Sequence, residues 1–398
     1  MKNGEDTWST GTTRLNTKHQ LMKSIQIREV KSGKDWKAFF RLPWEIFKND
    51  PYWIPPLLAD QKKNLDTAKN PFFKHAFYKA WIVTSEGKTI GRIVAYVDQA
   101  YCDLYKEASG FIGYFESIND QSVADLLFTT SVAWLKENKM HKVYGPMNFS
   151  IANECGVLMT GYDHSPVVQM NHTPSYYLDL FINAGFTKAH DLYAYLMTEE
   201  MVRRNDDMMS KLKRISEHTL QKEHIKIRPV NMKDYDNELE RINHLFNDFM
   251  KNTWGFVPST LEEVAFSGES LKTFADPEMI FFAEVNNEVV GCSLAIPDIN
   301  EVLKKMNGSL YPLGIFKFLW YKRKIRGIRL LLLGVTEPYR NKGLDIIFYY
   351  YTISRGIARG YNKCESSWVS EDNTVLNKIM HNIGSERYKT YRMFGKAI

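Results

Sequence analysis

Residues 329–360 read RLLLLGVTEPYRNKGLDIIFYYYTISRGIARG, and this stretch decides the fold. A run of Leu and Val describes a buried strand, Glu337-Pro338 ends it, and Ile346, Ile347, Tyr350 and Ile353 recur at helical spacing. The joint between strand and helix is Arg340-Asn341-Lys342-Gly343-Leu344-Asp345. A glycine there lets backbone N–H groups converge, the helix N-terminus adds partial positive charge, and Arg340 and Lys342 add full charges. That is a cradle for phosphate. Arg-x-x-Gly taken alone describes a basic surface turn equally well; the strand before it and the helix after it favour the cradle.

Working outward, the chain repeats itself. IQIREV (25–30) matches IKIRPV (225–230), and Gly91 of KTIGRIVAYV matches Gly291 of EVVGCSLAI, both at an offset of 200. FINAG ending at Gly185 and MHNIG ending at Gly384 each lead into an aromatic strand, at an offset of 199. Three matches in order argue for a duplication. Each half opens with a strand and helical segments. A hairpin follows (79–84 with 89–97; 279–285 with 288–296), turning at Glu86-Gly87 and Asn286-Asn287. A strand, an amphipathic helix and further strands complete it. The charged segment 199–224 carries a Met/Leu/Ile stripe and is predicted to be one connecting helix. The expected organisation is a disordered tail over 1–22, a first lobe over 23–198, the connecting helix over 199–224 and a second lobe over 225–398.

Composition narrows the class. The chain has 398 residues, 44% hydrophobic and 25% charged, with a formal net charge of +6. That length exceeds what one core usually reaches. Cys102, Cys155, Cys292 and Cys364 lie far apart without metal-ligand spacing, which reads as reduced thiols in a cytoplasmic protein that binds no metal. No run is apolar enough to span a bilayer, and residues 1–21 lack the apolar core of a signal peptide.

With these residues in place, the segment 329–360 resembles the acyl-CoA-binding motif of the GNAT superfamily of N-acyltransferases. Val335 stands five residues before Arg340, Asn373 follows the next strand, and Gly384 comes eleven residues later. Residues from about 25 onward also resemble a family of large two-lobed bacterial GNAT-like proteins, some implicated as ceramide synthases. GPMNFS (145–150), PSYY (174–177), PDIN (297–300), GVTEPYRNKG (334–343) and SWVSEDN (367–373) carry that resemblance. It implies an α/β (α+β) class and a tandem duplicated GNAT-like fold, with mixed, mostly antiparallel central sheets flanked by helices. The implied activity is acyl transfer from acyl-CoA, acetyl-CoA or acyl-carrier phosphopantetheine to an amine. The amine is lipid-like, such as a sphingoid base, or small; a non-catalytic acyl-CoA-binding protein is the competing class. A homodimer is compatible with this reading.

The resemblance also assigns residues. Gly334, Val335 and Thr336 would run beside the pantetheine arm and offer an N–H to the thioester oxygen; Arg340, Asn341, Lys342, Gly343 and Leu344 would hold phosphate, and Asn373 the pantetheine. Two positions depart from the motif. Asp345 replaces a small residue, either as a helix cap facing away from the ligand or as a charge facing a carrier-bound phosphate. Met380 stands where a proton-donating Tyr is common. Catalytic candidates are Asp298, Glu371 and Tyr391. Asn148, Glu154, Asn171, His172, Asn300 and Trp368 are assigned to the acceptor pocket, with loop anchoring as the alternative for those in the first half. The first lobe has Glu116 and Asp120 where a cradle needs neutral or positive groups, so it is expected not to bind CoA.

One insert, 302–329, holds eight basic residues and no acidic ones. Pro312, Ile315, Phe316 and Leu319 share a helical face beside Trp320 and Tyr321, with Lys322, Arg323, Lys324 and Arg326 following. This pattern suits peripheral contact with an anionic membrane at its cytoplasmic face, or a solvated helix over the core. Nucleic acid is not expected as a partner, because no recognised module accompanies the charge.

Overall fold

A computed structural model describes residues 25–308, 320–340 and 342–398. The tail expected over 1–22, the apolar face 312–319 of the insert and Asn341 lie outside the described residues. Among the described residues thirteen strands form one sheet: β1 (Gln26–Glu29), β2 (Ala76–Ser85), β3 (Lys88–Asp98), β4 (Ser109–Ser117), β5 (Lys142–Gly145), β6 (Val157–Thr160), β7 (Thr187–Thr198), β8 (Lys226–Pro229), β9 (Ile280–Val285), β10 (Glu288–Pro297), β11 (Gly327–Val335), β12 (Lys363–Ser370) and β13 (Glu386–Ala397). The helices that frame the site are α1 (Gly33–Ile46), α2 (Gln121–Glu137), α3 (Tyr177–Asn183), α4 (Glu199–Arg203), α5 (Asp206–Lys222), α6 (Tyr235–Met250), α7 (Leu261–Lys272), α8 (Leu344–Ala358) and α9 (Thr374–Asn382).

The sheet order is β1-β2-β3-β4-β5-β13-β7-β12-β11-β10-β9-β8, with β6 added on β13. The pairings are antiparallel except β4 with β5 and β11 with β12. The order shows an exchange. The last strand of the first half, β7, lies against β12 of the second, and β13 lies against β5 of the first. The two exchanged strands pair with each other at the centre, so one sheet runs through both halves.

Each sequence match serves the same structural purpose twice. Gly91 and Gly291 lie where a helix crosses the sheet closely. A Cβ on Gly91 would fall 2.9 Å from Val123 of α2, and one on Gly291 would fall 2.9 Å from the Phe348 ring of α8. Just before each glycine the hairpin register skips one residue, Ile90 and Val290. Their carbonyls accept from Ile118 and Thr336 at the end of the next strand, 3.0 and 2.8 Å away. Gly185 and Gly384 adopt φ of +79° and +78° just past α3 and α9. There Phe186 N and Ser385 N close back on Phe181 O and Met380 O, which satisfies carbonyls left over at the helix ends. The hairpin turns also take left-handed conformations, at Glu86-Gly87 and at Asn286-Asn287.

Two expectations need correction. Segment 199–224 is two helices, α4 and α5. Asn205 interrupts it by capping α5, its side chain accepting from Met208 N. Asp345 is likewise not a cap. The N-cap of α8 is Gly343, at φ +82°, and Asp345 lies in the first turn, where its charge matches the helix dipole.

Candidate active site

β11 and β12 pair from Gly327↔Lys363 to Leu330↔Ser366, and there the ladder stops. Both strands become irregular at that point. Leu331 drops out of register against β10, and β12 steps from Ser366 to Val369 against β7, leaving out Ser367 and Trp368. The Ser367–Trp368 peptide is cis. The buried Arg329 holds the apex. Its Nε donates to Ser367 Oγ (3.0 Å), its Nη2 to Ser367 O (3.2 Å) and its Nη1 to Val168 O (2.9 Å). Beyond the apex opens a cavity of about 570 Å³ between the two halves, which reaches Leu331 and Leu333 on β11 and Trp368 and Val369 on β12.

The first half shows the same opening, already filled. β4 and β5 pair from Ser109↔Lys142 to Phe111↔Tyr144, and β4 slips register past Gly113. The chain's own Met147-Asn148 enters the gap. Met147 N donates to Ile112 O (2.8 Å), and Asn148 Oδ1 accepts from Tyr114 N (2.8 Å). A Cβ on Gly113 would fall 2.2 Å from Met147 O, so only glycine leaves room for this plug. A splayed strand edge exposes main-chain groups that need partners, and here an extended, amide-bearing segment supplies them. The acidic pair in this half also has other duties. Glu116 lies 3.4 Å from Arg92 and accepts from Tyr177 OH (2.5 Å), while Asp120 caps α2 through Ser122 N (2.9 Å).

At the second half's loop, α8 begins without a side-chain cap, so the first-turn amides stay open to a ligand. Arg340 lies 3.8 Å from Asp248, and Lys342 lies 3.8 Å from Glu223 and over the Tyr339 ring. Leu344 is core. Asn373 caps α9 through Leu376 N (3.0 Å) and lines the cavity beside Met380. The β11 residues that line the cavity are Arg329 to Leu333, upstream of Gly334, Val335 and Thr336. Gly334 lies directly beneath Phe249 of α6, and Thr336 donates its N–H to Val290 O, which removes that amide from the groups open to a ligand.

The acceptor-side residues divide. Asn148, Glu154, Asn300 and Trp368 line the cavity; Asn171, His172, Asp298, Glu371 and Tyr391 do not. Asp298 accepts from Val168 N (2.9 Å) and Asn300 N (3.2 Å), tying the halves together, and burial pushes its carboxyl up to about 7. Glu371 accepts from Asp191 N (2.9 Å) and Lys188 Nζ (2.6 Å). Tyr391 is fully buried and donates to Asn171 O (3.2 Å). His172 meets Asp50 (2.8 Å), and burial holds its pKa below the usual value.

Sequence reasoning missed the apolar wall contributed by Phe246 and Phe249 of α6, and a charged bridge at the rim. His75 Nδ1 lies 2.9 Å from Asp98 and its Nε2 lies 3.0 Å from Glu263 of α7. The Asp98 hydrogen bond, followed by that of Glu263, pushes the imidazole up to about 10. Lys74 and Lys63 pair with Glu262 and Glu269 of the same helix, so α7 is fastened to the first half. Nothing in local spacing announces partners nearly two hundred residues apart.

No protein-family model matches the chain. Protein YghO of Escherichia coli (strain K12) is 32% identical over 380 residues, covering 94% of this chain and 95% of that protein. Bacterial ceramide synthase of Caulobacter vibrioides (strain NA1000 / CB15N) is 32% identical over 382 residues, covering 94% of this chain and 98% of that protein. The chain belongs to their two-lobed GNAT-like family. Among solved structures, a tandem GNAT protein from the clavulanic acid biosynthesis pathway, solved without AcCoA, superposes with a TM-score of 0.55. At 9% identity it covers 94% of this chain and 98% of its own, which shows that the family's fold here is the tandem GNAT fold. The splayed β11–β12 pair opens on one cavity whose wall both halves supply, and Arg340, Lys342 and Gly343 of the second-half loop lie outside its lining.

Proposed function

We propose that the protein is an N-acyltransferase that moves an acyl group from a CoA-type thioester to a long-chain amine. The observation that carries this is the pair of splayed strands. In the first half the gap is filled by main-chain and side-chain amides. Its counterpart at Leu331 opens onto the cavity. An extended ligand bearing amides fits that opening by the same chemistry, and a pantetheine arm is such a ligand. The open first turn of α8, which follows β11 along the chain and carries Arg340 and Lys342, supports a phosphate-bearing end for such a ligand. The amine nitrogen attacks the thioester carbonyl; the C–N bond forms, the C–S bond breaks, and the thiol leaves. Backbone N–H groups at the Leu331 irregularity would stabilise the oxyanion.

The apolar cavity wall, together with a relative called bacterial ceramide synthase, supports a sphingoid-type acceptor over a small one. The test combines the purified protein with long-chain acyl-CoA and either a sphingoid base or short amines, following thiol release and amide mass. We expect amide from the long-chain amine. Product from short amines only would favour the small-amine transferase, and CoA binding without turnover would leave an acyl-CoA-binding protein. We further place a peripheral membrane contact at Trp320, which is 70% exposed beside Lys322, Arg323 and Lys324. Co-sedimentation with anionic vesicles that fades at high salt is the expected result; indifference to such vesicles would remove the contact.

A further inference from the structure

The plug that fills the first half's gap does not end there. Residues 147–155 close into a small loop, with Met147 bridging Cys155 and Asn148 N donating to Glu154 O (2.9 Å). Its far side forms part of the cavity wall. Asn153 O accepts the Trp368 indole N–H (3.2 Å), so the loop is held against the irregular turn of β12 where the second half's gap begins. Glu154 is the next residue, and it lines the same cavity as Leu331 and Trp368. Among the described residues one hydrogen bond reaches its carboxylate, from Asn148 Nδ2 to Oε2 (3.0 Å). Asn148 in turn is fixed by Tyr114 N, so the carboxylate is aimed by the plug itself.

Taking the N-acyl transfer proposed above as its premise, we infer that Glu154, carried by the half that binds no CoA, is the catalytic base that deprotonates the acceptor ammonium. The proton balance is simple. R–NH₃⁺ gives one proton to the Glu154 carboxylate, and the free amine forms the C–N bond. As the C–S bond breaks, the thiolate takes the second nitrogen proton and leaves as thiol, and Glu154 returns its proton to water. Its half-buried position suits the residue to this task. Desolvation raises its pKa, opposed by the Asn148 hydrogen bond and by Arg92 of β3 and Arg329 of β11. Glu116 and Tyr114 of β4 and the Cys155 thiol are the other titratable groups coupled to it. A carboxylate held by one neutral amide in an apolar wall accepts a proton more readily than one in water. The arrangement also explains why a half without a ligand loop retains a polar, well-anchored loop at the joint.

The experiment compares Glu154→Gln with the wild type in pH–rate profiles, using two acceptors: a long-chain alkylamine, cationic at neutral pH, and hydroxylamine, neutral there. The inference expects a loss of about 10²-fold or more in kcat/KM with the alkylamine. It also expects loss of the acid limb, the rate climbing until the amine itself deprotonates. With hydroxylamine the variant should keep its rate, and CoA affinity by calorimetry should not change. Equal loss with both acceptors assigns Glu154 a structural role and overturns the inference, as does alkylamine turnover by Glu154→Gln at the wild-type rate. If Glu154→Gln does not fold, the ratio of the two acceptors in Glu154→Asp decides in the same way. Failure of wild type to bind CoA or release thiol with any amine would instead refute the acyl-transfer reading itself.

Discussion

Replacing Gly113 by alanine would put a methyl carbon 2.2 Å from Met147 O and 2.9 Å from Asn148 Oδ1. The first of these atoms is main chain and cannot swing aside, and Gly113 does not have a left-handed φ. The penalty is therefore steric and falls on the plug. Displacing the plug breaks Met147 N→Ile112 O and Tyr114 N→Asn148 Oδ1, both 2.8 Å. At roughly 1 kcal/mol for each bond, and up to about 3 where a buried partner stays unsatisfied, the expected loss is ~2–5 kcal/mol. For a cooperative unit that spans both halves this lowers Tm by roughly 3–6 °C. Thermal unfolding measures it, and hydrogen exchange at Met147 and Tyr114 should accelerate in the variant. CoA affinity should survive within a few-fold, because the ligand loop belongs to the other half. Gly33→Ala is the control. No atom lies within 4 Å of the added Cβ, at the first residue of α1, so stability should hold or rise by about 0.5 kcal/mol. If Gly113→Ala melts within about a degree of wild type, with unchanged exchange at both amides, the plug is not a tightly filled gap and the comparison between halves fails.

Charge reversal at Arg340, whose nearest partner is Asp248 at 3.8 Å, should weaken CoA binding by about 2 kcal/mol, near thirtyfold, while leaving the fold intact; a titration showing an unchanged Kd, or two sites per chain, would contradict a single cradle. The His75 bridge predicts a pH effect. Its folded pKa of about 10 lies above the ordinary 6.5, so its stabilisation is complete below pH 6.5 and is lost as pH rises through about 10. The Tm difference between wild type and His75→Gln should accordingly be largest near pH 6 and shrink towards pH 10; a difference that is flat with pH would mean the imidazole is not charged in the fold.

Much of this protein can be read in one dimension because the signals are local. The strand–glycine–helix joint needs only consecutive residues, and α8 starts at Leu344 with Gly343 as its N-cap, as that pattern implies. The repeats were legible because backbone geometry repeats with them: left-handed helix ends at Gly185 and Gly384, close helix crossings at Gly91 and Gly291. Asp298, Glu371 and Tyr391 were nominated by proximity along the chain to motifs. Folding gives each of them partners and places it away from the cavity lining, since a carboxylate or phenol in an interior satisfies itself with whatever donor or acceptor packing brings close. What only the tertiary structure decided is everything that depends on the two halves meeting. The exchange of β7 and β13, the Met147-Asn148 plug, the bridge from His75 to Glu263 and the position of Glu154 beside Trp368 all join residues from distant parts of the chain. Such contacts leave no periodicity behind. They arise because a splayed strand edge and a buried charge must find partners in space, and the sequence specifies those partners only through the complete fold.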